Sequence, residues 1–499
     1  VSLQPETLLN PSVYPHSVPD PVELIETHIS WVFLAGHFAY KIKKPIANNF
    51  LDYSTLEKRH AACVHELNLG KRLAPEMYID VVPITIEDGV CRVDGDANPL
   101  DFAVRMRRFS SESLLSKRLD AGVVSEQEIE QLGRSIARFH NHAMIAARDR
   151  SGGIESISHR AMENIESLRR SPLLPDKSVL QEVERWTVSQ CSALQERFLI
   201  REQLGWIREC HGDMHCSNVA YFRDHWTLFD GIEFNDELSC IDTMSDIAFL
   251  VMDLIERKKS GLAWLMLNTY LEESGDYHGL SILKWYLVYR AMVRAKVALM
   301  RAEQLEKSDP DQNRELASAI DYLNLAFEFT ATRQRQLWIT HGFSGSGKTH
   351  GSRWAVRELG MVRLRSDVER KRLFHLSHPN MGSHVDANDL RDLYSVSATE
   401  AVYRSLWSLS RELLDYGFSV LVDATFLKYP DRKRFSDLAK SLDIPFKILD
   451  FQNHVSVLEQ RIRERKVSGT DASDADVEVL HRQLKNHDPL TESEQLFVQ

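Results

Sequence analysis

The stretch Gly342-Phe343-Ser344-Gly345-Ser346-Gly347-Lys348-Thr349 constrains this chain more than any other. It fits the spacing G-x-x-x-x-G-K-[ST] at every fixed position. Residues 337–340 before it read as a buried strand, and those after it, up to 359, as a helix. That context counts for more than the match. The chemistry needs a loop with little side-chain bulk, whose N–H groups curl around a polyphosphate, and a helix N-terminus aimed at the negative charge. In such a loop Gly342, Ser344, Gly345, Ser346 and Gly347 form the cradle. Lys348 reaches the outer phosphates and the Thr349 hydroxyl holds Mg2+. A glycine-rich turn matching by chance would lack the flanking strand and helix. A nucleoside triphosphate is expected here; ATP and GTP both fit.

At 499 residues the chain exceeds one ordinary core, so two or three domains are expected. Hydrophobic content of 43% and charged content of 27% are those of a soluble globular protein. No run approaches the roughly 20 apolar residues of a membrane span. Residues 1–20 have neither a basic start nor an apolar core, so no signal peptide is expected there. Cys63, Cys91, Cys191, Cys210, Cys216 and Cys240 form no C-x-x-C pair, which points to reduced thiols and a cytoplasmic setting. A net charge of −11 argues against general nucleic-acid coating and leaves room for a local basic groove.

Two short strands joined at Ala35-Gly36 open the first half, and the second alternates so that Lys41 and Lys43 share a face. A helix over 56–73 carries Glu57 and Glu66, followed by a strand pair near 79–86 and 91–93 and a further apolar segment at 101–106. From Ser125 the pattern is helical: 126–142, 161–168, 179–199, 262–271 and 282–300. A small mixed sheet before a helical body predicts two lobes with a cleft between them.

Within the helical body lies His211-Gly212-Asp213-Met214-His215-Cys216-Ser217-Asn218, followed by Leu228-Phe229-Asp230-Gly231-Ile232-Glu233. An aspartate, an asparagine five residues on and a second aspartate twelve beyond that suit a phosphotransfer loop. The first orients a hydroxyl, while the others present oxygens to Mg2+. His211 and His215 could alternatively belong to a metal cluster, but no third ligand stands at metal spacing, and His211 reads as a structural histidine.

H-G-D-x-H-x-x-N followed by a strand ending in Asp resembles the working loop of the aminoglycoside phosphotransferase family, a branch of the protein-kinase-like fold. The resemblance covers about residues 20–300. It implies Asp213 as catalytic aspartate and Asn218 and Asp230 as metal ligands. The strand lysine is Lys41 or Lys43; Phe38-Ala39-Tyr40-Lys41 favours Lys41. Its helix partner is Glu66 rather than Glu57. Arg105-Met106-Arg107 becomes the hinge whose backbone, at Met106, meets the adenine. A glycine-rich loop over the phosphates is missing. A fold that binds ATP without catalysing is the alternative.

The polar stretch 302–336, with Ser308-Asp309-Pro310-Asp311 as a breaker and a helix over 315–329, places a boundary near 330. The first domain is then 1–330, with a small lobe about 20–110, a helical lobe about 111–305 and a connecting helix to 330. The second is 331–499.

Beyond 330, strands near 361–364, 419–422 and 445–451 alternate with helices near 354–359, 397–416, 432–442 and 455–465, which indicates a parallel sheet. Ligands collect at the carboxyl ends of such strands. Asp367, just past Arg363-Leu364-Arg365-Ser366, suits a carboxylate that takes a proton from an acceptor hydroxyl, with Arg370 near for charge. Asp423, closing Val420-Leu421-Val422, suits the magnesium shell. A strand-end cap is the plainer role for either. Arg461 and Arg465 stand four apart on one helix face, before a small polar loop at 468–474, as a closing lid over about 455–475 requires. A solvated charged face is the plainer reading. Together these residues resemble the polynucleotide kinase and zeta-toxin branch of small P-loop kinases, over about 336–490.

The fold expected is multidomain, α/β and α+β: an N-terminal two-lobed protein-kinase-like fold and a C-terminal parallel-sheet P-loop NTPase fold. The domain order resembles a bacterial family of fused proteins. The chain reads as a kinase using ATP and Mg2+ on hydroxyl groups, with two nucleotide sites and a small-molecule acceptor. One rival is repair of nucleic-acid 5′-hydroxyl ends by the second half, drawing on Arg432-Lys433-Arg434 and the lid arginines Arg461 and Arg465. The other is a nucleotide-sensing regulator. The acceptor itself, expected near Tyr394-Ser395 and 375–389, and the oligomeric state have no transferable code.

Overall fold

The computed structural model describes residues 3–47, 51–147, 153–174, 176–306, 309–374, 395–468 and 475–499. The stretch 375–389 with Tyr394, and the loop 469–474 of the expected lid, lie outside the described residues.

The small lobe is a sheet of β1 (Glu23–Glu26), β2 (Ser30–Ala35), β3 (Phe38–Lys43), β4 (Tyr78–Glu87), β5 (Val90–Val93) and β6 (Pro99–Arg107), in the order β1-β2-β3-β6-β4-β5. Instead of the mixed sheet expected, every described pair is antiparallel. The helix α1 (Leu56–Leu73) connects β3 to β4, which run the same way, but β6 inserts between them and opposes both. Alternation sorts the side chains of β3. Tyr40 and Ile42 enter a core with Phe33, Val82 and Ile84, while Ala39 packs on the opposite side with Cys63 of α1. Lys41 and Lys43 share that second face and meet Glu66 of α1.

In the helical body α2 (Glu126–His142) opens on a capping box: Ser125 Oγ accepts from the Glu128 N–H at 3.2 Å, and the Glu128 carboxylate accepts from the Ser125 N–H at 2.8 Å. The helix α3 (Thr243–Glu256) is buried on all sides from Thr243 to Leu254; its middle, 247–252, is wholly apolar, and its buried Asp246 and Asp253 accept hydrogen bonds. Next come α4 (Ser260–Ser274), α5 (Leu280–Gln304) and α6 (Pro310–Thr330). The expected breaker is a helix start instead. Asp309 accepts from the Asp311 N–H at 2.9 Å, and Pro310 occupies the first position, where its missing N–H costs nothing.

The second half is a four-stranded parallel sheet of β7 (Leu337–His341), β8 (Val362–Arg365), β9 (Val420–Asp423) and β10 (Phe446–Asp450), in the order β8-β9-β7-β10. The helices α7 (Arg353–Leu359), α8 (Ser366–Leu373), α9 (Val396–Asp415), α10 (Tyr429–Ser441), α11 (Val455–Ser468) and α12 (Val477–Lys485) surround it. The strand preceding Asp367 is expected beside the phosphate-loop strand. It is not, because β9 pairs with both and stands between them.

The outer edge of β8 would be a row of unpaired N–H and C=O groups. Helix α4 of the first half covers it. The Asn268 amide donates to the Met361 carbonyl at 3.1 Å and accepts from the Arg363 N–H at 2.6 Å. A neighbouring parallel strand would bind the same two groups, one residue to each side of its partner, so one side chain stands in for one peptide of a fifth strand. Glu272, one turn on, accepts from Arg363 at 2.8 Å. From α2, Glu126 and Glu130 receive Arg353 of α7 at 3.0 and 2.9 Å. The buried apolar side chains run continuously from Leu115 in the first half to Leu449 in the second.

Replacing Asn268 by leucine keeps the volume and removes both bonds to β8. Each buried backbone group left unpaired costs about 1–3 kcal/mol. Hydrogen exchange at 361–365 is therefore expected to accelerate at least about tenfold, with rates over 38–43 unchanged. Unchanged rates at 361–365 would show that the edge does not need the amide.

Candidate active sites

The first site lies between the lobes. Lys41 Nζ donates to Glu66 at 2.8 Å and also contacts Asp230. Lys43, fully buried, forms an ion pair with the other oxygen of Glu66 at 2.6 Å and donates to Glu233, which also accepts from the Tyr53 hydroxyl at 3.0 Å. The choice between Lys41 and Lys43 is thus not exclusive: Glu66 serves both, and only Lys41 reaches Asp230. Glu57 takes no part; it stands in the first turn of α1, while Glu66 is buried lower on the helix. Burial works against the Lys41 charge, but Asp230, Glu66 and Glu233 outweigh it and hold the ammonium well above the usual lysine range. Burial likewise opposes the charge of Glu66, and Lys41 and Lys43 reverse the effect, keeping it ionised below the usual range.

Asp230 follows the hairpin of Val219–Phe222 and His225–Leu228, with a left-handed φ of +59° and its N–H donating to Tyr78 Oη at 3.1 Å. Asp213 accepts from Asn218 Nδ2 at 3.1 Å and stands 3.4 Å from His215 Nε2. Its partial burial favours the neutral acid, yet His215, then His211 and Arg294, hold the carboxyl well below the usual range. His211 fixes the backbone: Nδ1 accepts from the Asp213 N–H at 3.3 Å, so Nε2 donates to the Phe229 carbonyl at 2.8 Å.

Sequence reading missed the anchor beneath this loop. Asp246, in the first turn of α3, accepts from the His211 N–H at 2.9 Å, the Gly212 N–H at 3.0 Å and His140 at 3.2 Å. His140, Cys210 and Asp246 are close enough to suggest a metal set, but all three are buried and Asp246 is already spent on hydrogen bonds. The hinge expected at Arg105–Arg107 is instead the end of β6. Met106 is paired with Ala39 on one side and Tyr78 on the other, and the N–H groups of Arg107 and Arg108 donate to Met77 and His37 at 2.8 and 2.9 Å. The connection to the helical body starts after Arg108.

The second site crowns β7. Gly345 has φ +81°, and a Cβ there would come 2.8 Å from the Leu458 carbonyl; Gly347, at φ +87°, starts the helical turn at Lys348. That turn ends at Gly351, and α7 begins afresh at Arg353, so the single helix expected through 359 is broken at Ser352. Lys348 Nζ donates to the Phe343 carbonyl at 2.7 Å, and Thr349 Oγ1 to Asp423 at 2.7 Å. The Ser344 N–H is held by Gln483 of α12 at 3.0 Å, and the Ser346 carbonyl by Asn453 at 3.0 Å, two supports with no motif to announce them.

Asp367 lies in the first turn of α8 and lines one cavity of about 1130 Å3 with Lys348, Thr349, Asp423 and Arg461. Arg461 Nη1 stands 3.5 Å from the Ser346 carbonyl, so it reaches the phosphate loop without any closing movement. Arg465 lies on the same helix, α11, and its side chain is outside the described residues.

A small antiparallel lobe meeting a helical body at a lysine–glutamate pair and an aspartate loop gives the first half a protein-kinase-like fold. A parallel sheet with a phosphate loop on a central strand gives the second a P-loop fold. Residues 337–490 match the family described as an AAA domain. The uncharacterized Mycobacterium tuberculosis protein Rv2004c is 30% identical over 466 residues, spanning 92% of this chain and 89% of that protein. The chain belongs to the same family as Rv2004c. Among solved structures, a putative aminoglycoside phosphotransferase from Ralstonia eutropha is 14% identical with a TM-score of 0.39, covering 66% of this chain and 98% of its own. A putative kinase from Chloroflexus aurantiacus is 22% identical with a TM-score of 0.24, covering 30% and 80%. No described helix is long and apolar enough to cross a membrane.

Asp246→Ala leaves two loop N–H groups and His140 without their acceptor. A cost of about 3–5 kcal/mol is expected, read as a fall in the urea midpoint. The pH dependence follows from the direction of its shift: His140 holds the carboxyl below the usual range against the effect of burial. Its contribution is therefore complete above about pH 4 and lost as the pH falls through the lowered value. A variant as stable as the parent at pH 7 would remove Asp246 as the anchor.

Proposed function

We propose that the chain is an ATP- and Mg2+-dependent phosphotransferase acting on hydroxyl groups, with one nucleotide site in the part up to about residue 330 and another in the remainder. The observation that carries this reading is the Thr349–Asp423 contact of 2.7 Å beneath the phosphate loop. It places two hard oxygen donors side by side, the donor type Mg2+ takes, next to Lys348. In the first half Asn218 and Asp230 offer the same kind of oxygens. Bound Mg2+ would neutralise charge on the phosphates.

The remaining roles belong to side chains. Lys41 and Lys348 hold phosphate oxygens, and Arg461 adds charge from α11. Asp213, ionised at neutral pH, accepts the proton of an acceptor hydroxyl. Asp367 performs that task in the second site.

A nucleic-acid acceptor loses part of its support because two members of its basic triplet are paired elsewhere and Arg434 stacks over the Trp407 ring at 5.0 Å. Arg432 is buried and held by Glu494 at 2.7 Å, and Lys433 is paired with Asp437 at 2.8 Å. A regulatory first half is favoured by one feature: β1 and β2 join through a turn at Thr27–Ser30, closed at 2.9 Å, too short to fold over a triphosphate.

Lys348→Ala should weaken ATP binding at the second site by about 1.5–3 kcal/mol, measured with a fluorescent ATP analogue. In that background the first site is seen alone. There Asp213→Asn should keep nucleotide affinity within about twofold and cut ATP turnover at least about 100-fold, whereas Asp230→Asn should weaken Mg2+-dependent binding. Turnover that survives Asp213→Asn would refute catalysis at Asp213, and absent turnover in the Lys348→Ala parent would favour the regulator. With Asp213→Asn as background, Asp367→Asn should spare binding and lower turnover; undiminished turnover would exclude Asp367 as the base.

A further inference from the structure

We infer that the first half builds the acceptor wall of the P-loop site, and that this acceptor is a small hydroxyl compound already carrying an anionic group, a phosphate or a carboxylate. This rests on the reading of the second half as a kinase.

The cavity above the phosphate loop is not confined to the second half. Glu130 and Arg134 of α2, and Thr269 and Glu272 of α4, line it together with Lys348 and Asp367. Its volume of about 1130 Å3 exceeds the roughly 300–1,000 Å3 of a cleft that takes one small ligand. A nucleotide leaves space for a second compound.

Side-chain contacts show which end that compound would occupy. Thr349 meets Asp423 at 2.7 Å, Asp423 is 3.9 Å from Arg365, and Arg365 is 3.4 Å from Glu272. The first half therefore borders the cavity two side chains away from the proposed metal position. That is where the outermost phosphate and the attacking hydroxyl must meet, not where a base would lie.

The wall is also charged in one sense. Glu272 is neutralised by Arg363 and Arg365, and Glu130 by Arg353 at 2.9 Å. Arg134 follows Glu130 by one turn of the same helix face and, among the described residues, forms no hydrogen bond or salt bridge. A guanidinium on a cavity wall with its acidic neighbour already committed is a site for an oxyanion, which it can grip through two parallel N–H bonds. Arg370 and Lys428 line the same space. The first half standing at this end of the cavity favours a small occupant over a polynucleotide.

The test titrates ribose, ribose 5-phosphate, ribonate and a 5′-hydroxyl oligonucleotide into the full chain saturated with Mg2+ and a non-hydrolysable ATP analogue. At least one of the two anions should bind tenfold or more tightly than ribose, and the better of them identifies the anionic group. Arg134→Ala should weaken that anion at least tenfold while the ATP analogue changes less than twofold, and Arg134→Lys should recover part of the loss. Three results overturn the inference: anions binding no better than ribose, the oligonucleotide binding as well as the best anion, or Arg134→Ala leaving the anion unaffected. If the ATP analogue itself does not bind, the kinase reading fails, and the wall is judged by the same titrations into nucleotide-free protein.

Discussion

Two lysines on one strand face cannot both be buried unless an acid stands between them. Lys41 and Lys43 meet that condition by sharing Glu66, and each then reaches outward to a second carboxylate, Asp230 or Glu233. Removing charges from water costs several kcal/mol per ion, and the attraction repays it only when every partner is in place. The network therefore dictates how β3, α1 and the segment after the Val219–Leu228 hairpin sit together. The cleft between the lobes is a consequence of that arrangement, with Asp230 held at its mouth.

The second half solves its charge problem differently. Its phosphate loop is supported by neutral groups, the amides of Gln483 and Asn453, and its cations are distributed around an open cavity. Those on the side of the first half are neutralised by Glu272 and Glu130. These two acids position arginines without touching the loop itself. At the loop itself Thr349 Oγ1 donates to Asp423 at 2.7 Å, the pair to which the proposed function gives the cation.

Local pattern made much of this legible. The phosphate loop, the alternation that puts Lys41 and Lys43 on one face, and the Asp213–Asn218–Asp230 spacing all act over a few residues or follow a known order. Adjacency was not legible. The order of strands depends on which edge offers the better packing, so β9 could stand between β8 and β7 without any local sign. Asp246 was missed because a buried aspartate in an apolar helix is indistinguishable from a cap until its partners, His211 and Gly212, fold against it. Met106 reads as part of a hinge because a strand end and a hinge share a composition; the pairing with Ala39 and Tyr78 puts it in β6. Arg461 reads as part of a moving lid, yet the path of α11 already carries it to the Ser346 carbonyl.

The Asn268 amide bears on how this polypeptide is inherited. A parallel sheet whose last strand is finished by a side chain from another half has no completed border of its own. Cut between the halves, the C-terminal part would expose β8 to any strand of a second copy, and the N-terminal part would bare Asn268, left with the Trp264 carbonyl of its own helix. The fusion is then more than two folds joined end to end. Each half is a chaperone to the other's unfinished surface, and a lineage that split the gene would have to redesign both faces of the seam at once.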